Sequence, residues 1–223
     1  MTDIPIELTR RAWACASAFS GDKEGCYPEH AAAQEFDLYA GKDVFEYGCG
    51  GGSDAMSYLR RSNRVTYADV VPVNVQTASQ RIVAAGLDKG ARPCPLGDSS
   101  PVPLPDESFD IVNSHGVLHH IVDPAPVVRE FHRLLRPGGL VYVMLYTEHL
   151  RWRLDVRVTQ LVTWRGIPEH EALCWLTDEP GCPYATWYTE ESGRKLLEDA
   201  GFKVDRVALY NNNDFRTFRG RKP

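Results

Sequence analysis

The sequence predicts an α/β fold in which a mostly parallel sheet is wound in both directions and carries helices on both faces. Three observations lead there. Strand-like and helix-like segments alternate from residue 42 to residue 146, the signature of repeated βα units. The run Val44-Phe-Glu-Tyr breaks into Gly48-Cys-Gly-Gly-Gly52, a turn whose glycines permit φ > 0 and place no Cβ between backbone and ligand. Residues 140–146 are almost continuously apolar, as a strand buried on both faces should be.

Each element has a local reason. Residues 42–47 form the first strand and 53–61 the helix that leaves the glycine turn. Residues 64–68 are the second strand, followed by a helix over 73–85 that Gly86 ends. Residues 92–96 make a weak third strand, interrupted by Pro93 and Pro95 and expected to pair over a short length. Residues 109–114 are the fourth strand. Asp123-Pro124 offers a cap and a first-turn proline, after which Val127, Val128, Phe131, Leu134 and Leu135 recur at helical spacing until Pro137-Gly138-Gly139. Thr189 caps a last helix with Glu190 and Glu191 in its first turn. Residues 202–209 and 215–219 then read as strands joined by the polar turn 210–214.

Composition bounds the function. The chain has 223 residues, a net charge of −5, 43% hydrophobic and 25% charged residues, which suits one globular domain. The acidic balance argues against non-specific nucleic-acid binding. No apolar run reaches the length of a membrane span, and the first residues lack the basic start and apolar stretch of a signal peptide, so a cytoplasmic location is expected. Six cysteines at 15, 26, 49, 94, 174 and 182 form no Cys-x-x-Cys pair. Their spacing supports neither a zinc site nor a disulfide framework, and no metal is expected.

The glycine turn points to an adenosine-containing cofactor. It offers backbone N–H groups and a helix N-terminus to a ligand, and the second strand ends at Asp69, about 20 residues on, where α/β nucleotide sites hold ribose hydroxyls. A dinucleotide fingerprint would need Gly or Ala at position 53, which is Ser53. Instead Glu46-x-Gly48-x-Gly50-x-Gly52 resembles the first motif of class I S-adenosylmethionine-dependent methyltransferases. Gly97-Asp98 through Phe109-Asp110 resembles their second block, residues 111–121 the strand and turn after it, and Glu130 through Gly139 the helix exit into the fifth strand.

The resemblance implies a Rossmann-like, seven-stranded sheet ending in an antiparallel hairpin, with S-adenosyl-L-methionine as cofactor. It places Glu46, Gly48, Cys49, Gly50, Gly52, Asp69, Val70, Asp98, Ser99 and His115 around that cofactor, with Asp69 on the ribose and Asp98 and Ser99 on the adenine. His120 matches a position that serves as general base in some small-molecule members. A neutral imidazole can take a proton from an alcohol, phenol or amine near physiological pH. Leu-His-His is nevertheless common among members with unrelated substrates, so a structural role stands beside the catalytic one. His115 and Tyr27 are the other catalytic candidates. Arsenic-methylating members hold substrate with several cysteines, but the spacing of Cys26, Cys174 and Cys182 does not favour that use.

One domain is expected, divided into an N-terminal helical cap (1–40, helical over 8–19 and 29–39), a cofactor core (41–146), an insertion (147–188), and a closing helix and hairpin (189–223). Trp152, Trp164, Trp175 and Trp187 concentrate in the insertion. It reads as a helical layer with its own core, as a lid over the acceptor, or as both. Arg151, Arg153 and Arg157 read as a solvated helix face, with an anion pocket as the alternative. The function expected is methyl transfer to an O or N nucleophile of a small molecule, by a monomer or homodimer. Other S-adenosylmethionine chemistry and a non-catalytic binding module are the alternatives.

Overall fold

The computed structural model describes residues 29–96, 101–163, 166–178 and 182–223. Tyr27, Asp98, Ser99, Trp164 and the expected helix over 8–19 lie outside them. Seven strands form one sheet: β1 (Asp43–Tyr47), β2 (Arg64–Asp69), β3 (Ala91–Pro95), β4 (Phe109–His115), β5 (Leu135–Tyr146), β6 (Lys203–Tyr210) and β7 (Phe215–Arg221). Their order is β3-β2-β1-β4-β5-β7-β6. Strands β1 to β5 pair in parallel and β7 runs antiparallel to both β5 and β6. The order reverses between β1 and β4, the switch point beyond whose strand ends open α/β sheets bind ligands.

Seven helices accompany the sheet among the described residues: α1 (His30–Gln34), α2 (Ser53–Arg60), α3 (Pro72–Ala84), α4 (Ala125–Leu134), α5 (Leu150–Val162), α6 (Glu169–Thr177) and α7 (Glu190–Glu198). The period-2 alternation of strand side chains divides the core in two. Phe45, Val112, Val141 and Val143 face Val128, Phe131 and Leu134 of α4 and Leu197 of α7. Their neighbours Val44, Ile111 and Tyr142 face Ala55 and Tyr58 of α2 and Ala78 and Ile82 of α3. Both faces are therefore covered, as the alternation of elements requires.

Several local expectations are corrected. β3 pairs with β2 at five positions despite its prolines. It is an edge strand, and Pro93 and Pro95, two residues apart, place their missing N–H groups on the same, open side. The expected helix over 29–39 is broken at Glu35, which takes φ 53°, and continues as a short 3-10 turn, Phe36–Leu38. Helix α4 starts one residue later than expected, with Asp123 accepting from the Ala125 N–H at 3.2 Å. Pro137-Gly138-Gly139 falls inside β5 rather than after a longer helix. It makes the irregularity at which pairing with β4 shifts from Phe109–Leu135 to Ile111–Leu140. Thr189 caps α7 as expected, accepting from the Ser192 N–H at 3.0 Å.

Helix α7 and β7 meet where only glycine fits. A Cβ at Gly193 would stand 2.3 Å from the buried ring of Phe218. Glycine inside a helix ordinarily costs about 1 kcal/mol relative to alanine. Here overpacking reverses the sign, so Gly193→Ala is expected to destabilise the domain by about 1–3 kcal/mol, read as a lower urea midpoint at unchanged slope.

Candidate functional site

The glycine turn joins β1 to α2 at the switch point. Gly48, Gly50 and Gly52 have φ of 79°, 49° and 78°, conformations that L side chains rarely adopt. A Cβ at Gly48 would lie 2.2 Å from Val117, and one at Gly52 would lie 2.9 Å from Ala78 on α3. These two glycines let the turn sit against the β4 exit and against α3. Gly50 differs, because nothing lies within 4 Å of the position its Cβ would take. Its backbone faces open space, and a ligand can approach the peptide group there without meeting a side chain.

The turn is fixed from below. The Gly48 and Cys49 N–H groups both donate to the Ala68 carbonyl, at 2.8 and 2.9 Å, and Gly52 N–H donates to the Cys49 carbonyl. Asp69, next along β2, accepts from the Gly50 N–H at 2.9 Å and from the Val71 N–H at 2.9 Å. Burial raises its pKa above the ordinary carboxylate value, and those two N–H groups and the Asn74 side chain oppose the rise. The glycine turn and Asp69 thus adjoin, as the spacing predicts, with Val70 next in the chain. Glu46 and Cys49 are buried within the same region. This cradle fits the adenosine cofactor read from the sequence: an open backbone at Gly50 and a carboxylate beside it.

Behind the turn lies a buried polar cluster that was not read from the sequence. Asp54, in the first turn of α2, accepts from Asn113 Nδ2 and bonds His30 Nε2, both at 3.1 Å. Its second oxygen is 3.5 Å from His115 Nδ1. Gln34 Nε2 donates to the same His115 nitrogen at 3.0 Å, and Tyr210 OH is 3.4 Å from Nε2. These contacts tie α1, α2, β4 and β6 together. With Gln34 donating to Nδ1, the ring turns Nε2 toward the Tyr210 hydroxyl.

His119 and His120, in the 3-10 turn Leu118–His120, part company. His119 is fully buried and stacks on Tyr146 with ring centroids 3.6 Å apart. Burial holds its pKa well below the ordinary value, and the neighbouring histidines add to the effect. It is a neutral core residue. His120 meets the insertion instead. Its Nδ1–H donates to the Tyr184 carbonyl at 2.9 Å, Cys182 Sγ is 3.5 Å from Nδ1, and Asp178 Oδ1 is 3.6 Å from Nε2. Burial alone would depress this imidazole, but the Cys182 bond, the Asp178 charge and the Tyr184 carbonyl raise it above the ordinary value.

The insertion has a small core of its own: Val156, Ile167, Ala172, Leu173, Cys174 and Ala185, with Tyr146, Trp152, Cys182 and Trp187 packed against it. It is anchored to the sheet by the Thr186 N–H on the His119 carbonyl and the Tyr188 N–H on the Tyr146 carbonyl. Trp152 Nε1 donates to Asp214 in the β6–β7 turn at 2.8 Å. A cavity of about 380 Å³ lies in the insertion and not over the glycine turn. Glu148, Arg153, Val156, Arg157, Glu169 and Trp187 line it. The arginines divide: Arg151 pairs with Asp155 and Arg153 with Glu148, while Arg153 and Arg157 face the cavity.

Comparison with known proteins agrees with this geometry. Residues 45–143 match the family described as a methyltransferase domain. The chain is 28% identical over 185 residues to a ubiquinone biosynthesis O-methyltransferase of Psychrobacter arcticus, covering 82% of this chain and 68% of that protein. Other enzymes of that name match over 44% of their length. The fold is shared with a SAM-dependent methyltransferase from Aquifex aeolicus, at a TM-score of 0.69 and 17% identity over 95% of this chain and 98% of the other. It is shared also with the cyclase SpnF, at 0.66 and 18% identity over 86% and 81% of the two chains. Residues 45–143 thus carry a methyltransferase-domain match on the sheet order shared with a SAM-dependent methyltransferase, and motif, fold and match together support S-adenosylmethionine as the cofactor. No helix among the described residues is long and apolar enough to cross a membrane.

The two neighbouring histidines should respond differently to replacement. Both nitrogens of His119 lack a hydrogen-bond partner in this structure, so His119→Phe keeps the stack on Tyr146 and removes a buried polar burden. It is expected to stay within about 1 kcal/mol of the parent or to exceed it. His120→Phe takes the N–H donor from the Tyr184 carbonyl and the imidazole from Asp178 and is expected to cost about 1–3 kcal/mol. Urea unfolding of both variants checks the contrast.

Proposed function

We propose that the chain methylates an oxygen of a small-molecule acceptor, the core holding the cofactor while residues 147–188 select the acceptor. The observation that carries this reading is the separation of the two surfaces. The open glycine turn and Asp69 belong to the core, and the cavity bordered by Trp187, Val156 and four charged side chains belongs to the insertion. Oxygen as the nucleophile draws support from the name of the Psychrobacter relative.

When bound, S-adenosylmethionine supplies a methyl group already activated for in-line displacement. The chain has to bind, orient and exclude water. Peptide groups of Gly48, Cys49, Gly50 and Gly52 receive the methionine part, and Glu46 the amine or the loop N–H groups. Asp69 accepts from the ribose hydroxyls with Val70 beside it, and Asp98 and Ser99 read the adenine edge. Val156 and Trp187 provide an apolar wall, and Arg153, Arg157, Glu148 and Glu169 a charged rim. Four charged side chains beside one aromatic face suit an acceptor that carries polar or charged substituents on a flat body. His115 and His120 act as positioning residues, since each is already bonded to neighbouring elements.

A second reading keeps the cofactor and changes the reaction, because the same fold occurs in the cyclase SpnF. Turnover of methyl-labelled cofactor with a panel of phenolic and enolic acceptors decides between them. Label transferred to oxygen supports the first reading, and product formed without loss of label supports the second.

Asp69→Asn is expected to weaken cofactor binding by about 1.5–3 kcal/mol, the usual value of hydrogen bonds to a charged group. The pH dependence has a definite sign. Burial raises the Asp69 pKa above its unfolded value, about 3.9, so ionising Asp69 opposes folding in the free chain as pH rises through that window. Ribose hydroxyls favour the carboxylate. Cofactor affinity therefore falls as the pH drops through the raised pKa, and Asp69→Asn should flatten this dependence in calorimetric titrations. Trp187→Ala is expected to raise the acceptor KM or lower kcat while leaving cofactor affinity within about twofold, measured by steady-state kinetics beside cofactor titration.

A further inference from the structure

His120 lies between a thiol and a carboxylate. Cys182 Sγ is 3.5 Å from Nδ1, and Asp178 Oδ1 is 3.6 Å from Nε2, at the other end of the ring. His120 comes from the turn after β4, whereas Asp178 follows α6 and Cys182 opens the return of the insertion toward Tyr188. Thiol, imidazole and carboxylate in that order are the parts of an activated sulfur nucleophile, in which the third group orients the second. A second thiol completes the group, because Cys174 on α6 is hydrogen-bonded to Cys182.

Each neighbour acts on the sulfur. Tyr146 OH donates to Asp178 Oδ1 at 2.8 Å and Thr177 Oγ1 donates to Oδ2 at 2.6 Å, which holds the carboxylate facing the ring. Its charge favours a proton on Nε2 and hence a cationic imidazole. The Nδ1–H lies between the Tyr184 carbonyl, 2.9 Å away, and Cys182 Sγ. As a thiol, Cys182 donates to that same carbonyl at 3.3 Å. Once its proton has left to solvent, Nδ1–H and the Cys174 S–H are the donors that face the thiolate. The Cys174 hydrogen bond draws the Cys182 pKa below the ordinary thiol value; burial and the Asp178 charge oppose the drop, and His120 adds to it. The same hydrogen bond, with burial, pushes Cys174 up. One thiol therefore ionises readily while the other keeps its proton. They differ in access too, since Cys182 is partly exposed and Cys174 is buried.

We propose that Cys182 is a peroxide-reactive nucleophile and that Cys174 resolves its oxidised form to a Cys174–Cys182 disulfide. The Cys182 thiolate attacks one oxygen of hydrogen peroxide. An S–O bond forms, the O–O bond breaks, and the departing hydroxide takes a proton from solvent; sulfur is oxidised to the sulfenic acid and the peroxide is reduced to water. Cys174 sulfur then attacks Cys182 sulfur. The S–S bond forms, the S–O bond breaks, and hydroxide leaves as water with the Cys174 proton. The disulfide joins α6 to residues 182–188, a segment already held to the core by the Thr186 N–H on the His119 carbonyl and the Tyr188 N–H on the Tyr146 carbonyl. This modification site lies outside the cofactor cradle and stands whichever acceptor atom is methylated.

The test uses the full, reduced chain and hydrogen peroxide. Both cysteines fall in one tryptic peptide, residues 166–194. Mass spectrometry should show that peptide losing two hydrogens and resisting iodoacetamide until a thiol reductant is added; this arm needs no variant. At about pH 6, where a free thiol is almost wholly protonated, iodoacetamide should label Cys182 of the reduced chain faster than it labels glutathione. In Cys174→Ser, dimedone should trap Cys182 as the sulfenic acid, and in Cys182→Ser, Cys174 should remain a thiol under the same peroxide. His120→Gln, which keeps Asp178, Tyr146, His119 and Cys174 around the sulfur, should slow Cys182 labelling more than about tenfold at that pH. The gap should close above about pH 8.5, where an ordinary thiol ionises unaided, a convergence that a purely structural histidine would not produce. Peptide 166–194 left unchanged by peroxide, Cys182 paired with another cysteine, or Cys182 labelled no faster than glutathione would overturn the assignment.

Discussion

The turn between β1 and α2 depends on the absence of three Cβ atoms, and much of the site depends on the turn. At Gly48 and Gly52 a methyl group would collide with Val117 and Ala78, so these glycines set how closely the turn approaches the β4 exit and α3. At Gly50 the missing side chain instead opens the backbone to a ligand. Because Gly48 and Cys49 share the Ala68 carbonyl and Gly50 donates to Asp69, the end of β2 and the turn move as one unit. The same hydrogen bond holds the carboxylate beside the open peptide group of Gly50. Pre-organisation of this kind lowers the ordering cost of binding.

Buried polar side chains link this unit to the rest of the molecule. Asp54 leaves the turn on α2 and gathers His30, Asn113 and His115, which brings α1 and β6 into register with β4. An unpaired carboxylate at that depth would be costly, so the cluster specifies one packing of α1 over the site. The turn after β4 performs a comparable function for the insertion. His119 disappears into the core against Tyr146, while His120, one residue on, reaches Tyr184, Cys182 and Asp178. Two adjacent histidines of one motif thereby serve two different layers.

The insertion forms the helical layer that its tryptophans suggested. It has a core of its own around Leu173 and Cys174, and it carries a cavity walled by Trp187. Its outer face remains apolar, with Leu154, Val158, Leu161 and Val162 more than half exposed. The hydrogen bonds that fix the glycine turn and Asp69 use none of these residues.

The sequence by itself determined the elements whose causes are local. Alternation of apolar runs placed the strands, glycine chemistry placed the turn, the threonine cap placed α7, and motif spacing placed Asp69 beside the glycines. Where a cause was not local, the reading fell short. Pro93 and Pro95 looked disruptive until the sheet order made β3 an edge strand. Glu35 ended a helix that periodicity would have continued. The Asp54 cluster joins residues 30, 34, 54, 113, 115 and 210, and the thiol–imidazole–carboxylate group joins 120, 178 and 182. Neither has a spacing motif, because its members come from different elements. Chain folding alone brings such groups within hydrogen-bonding distance, since side-chain proximity across a sheet is fixed by strand order and crossover geometry and leaves no periodic trace along the chain.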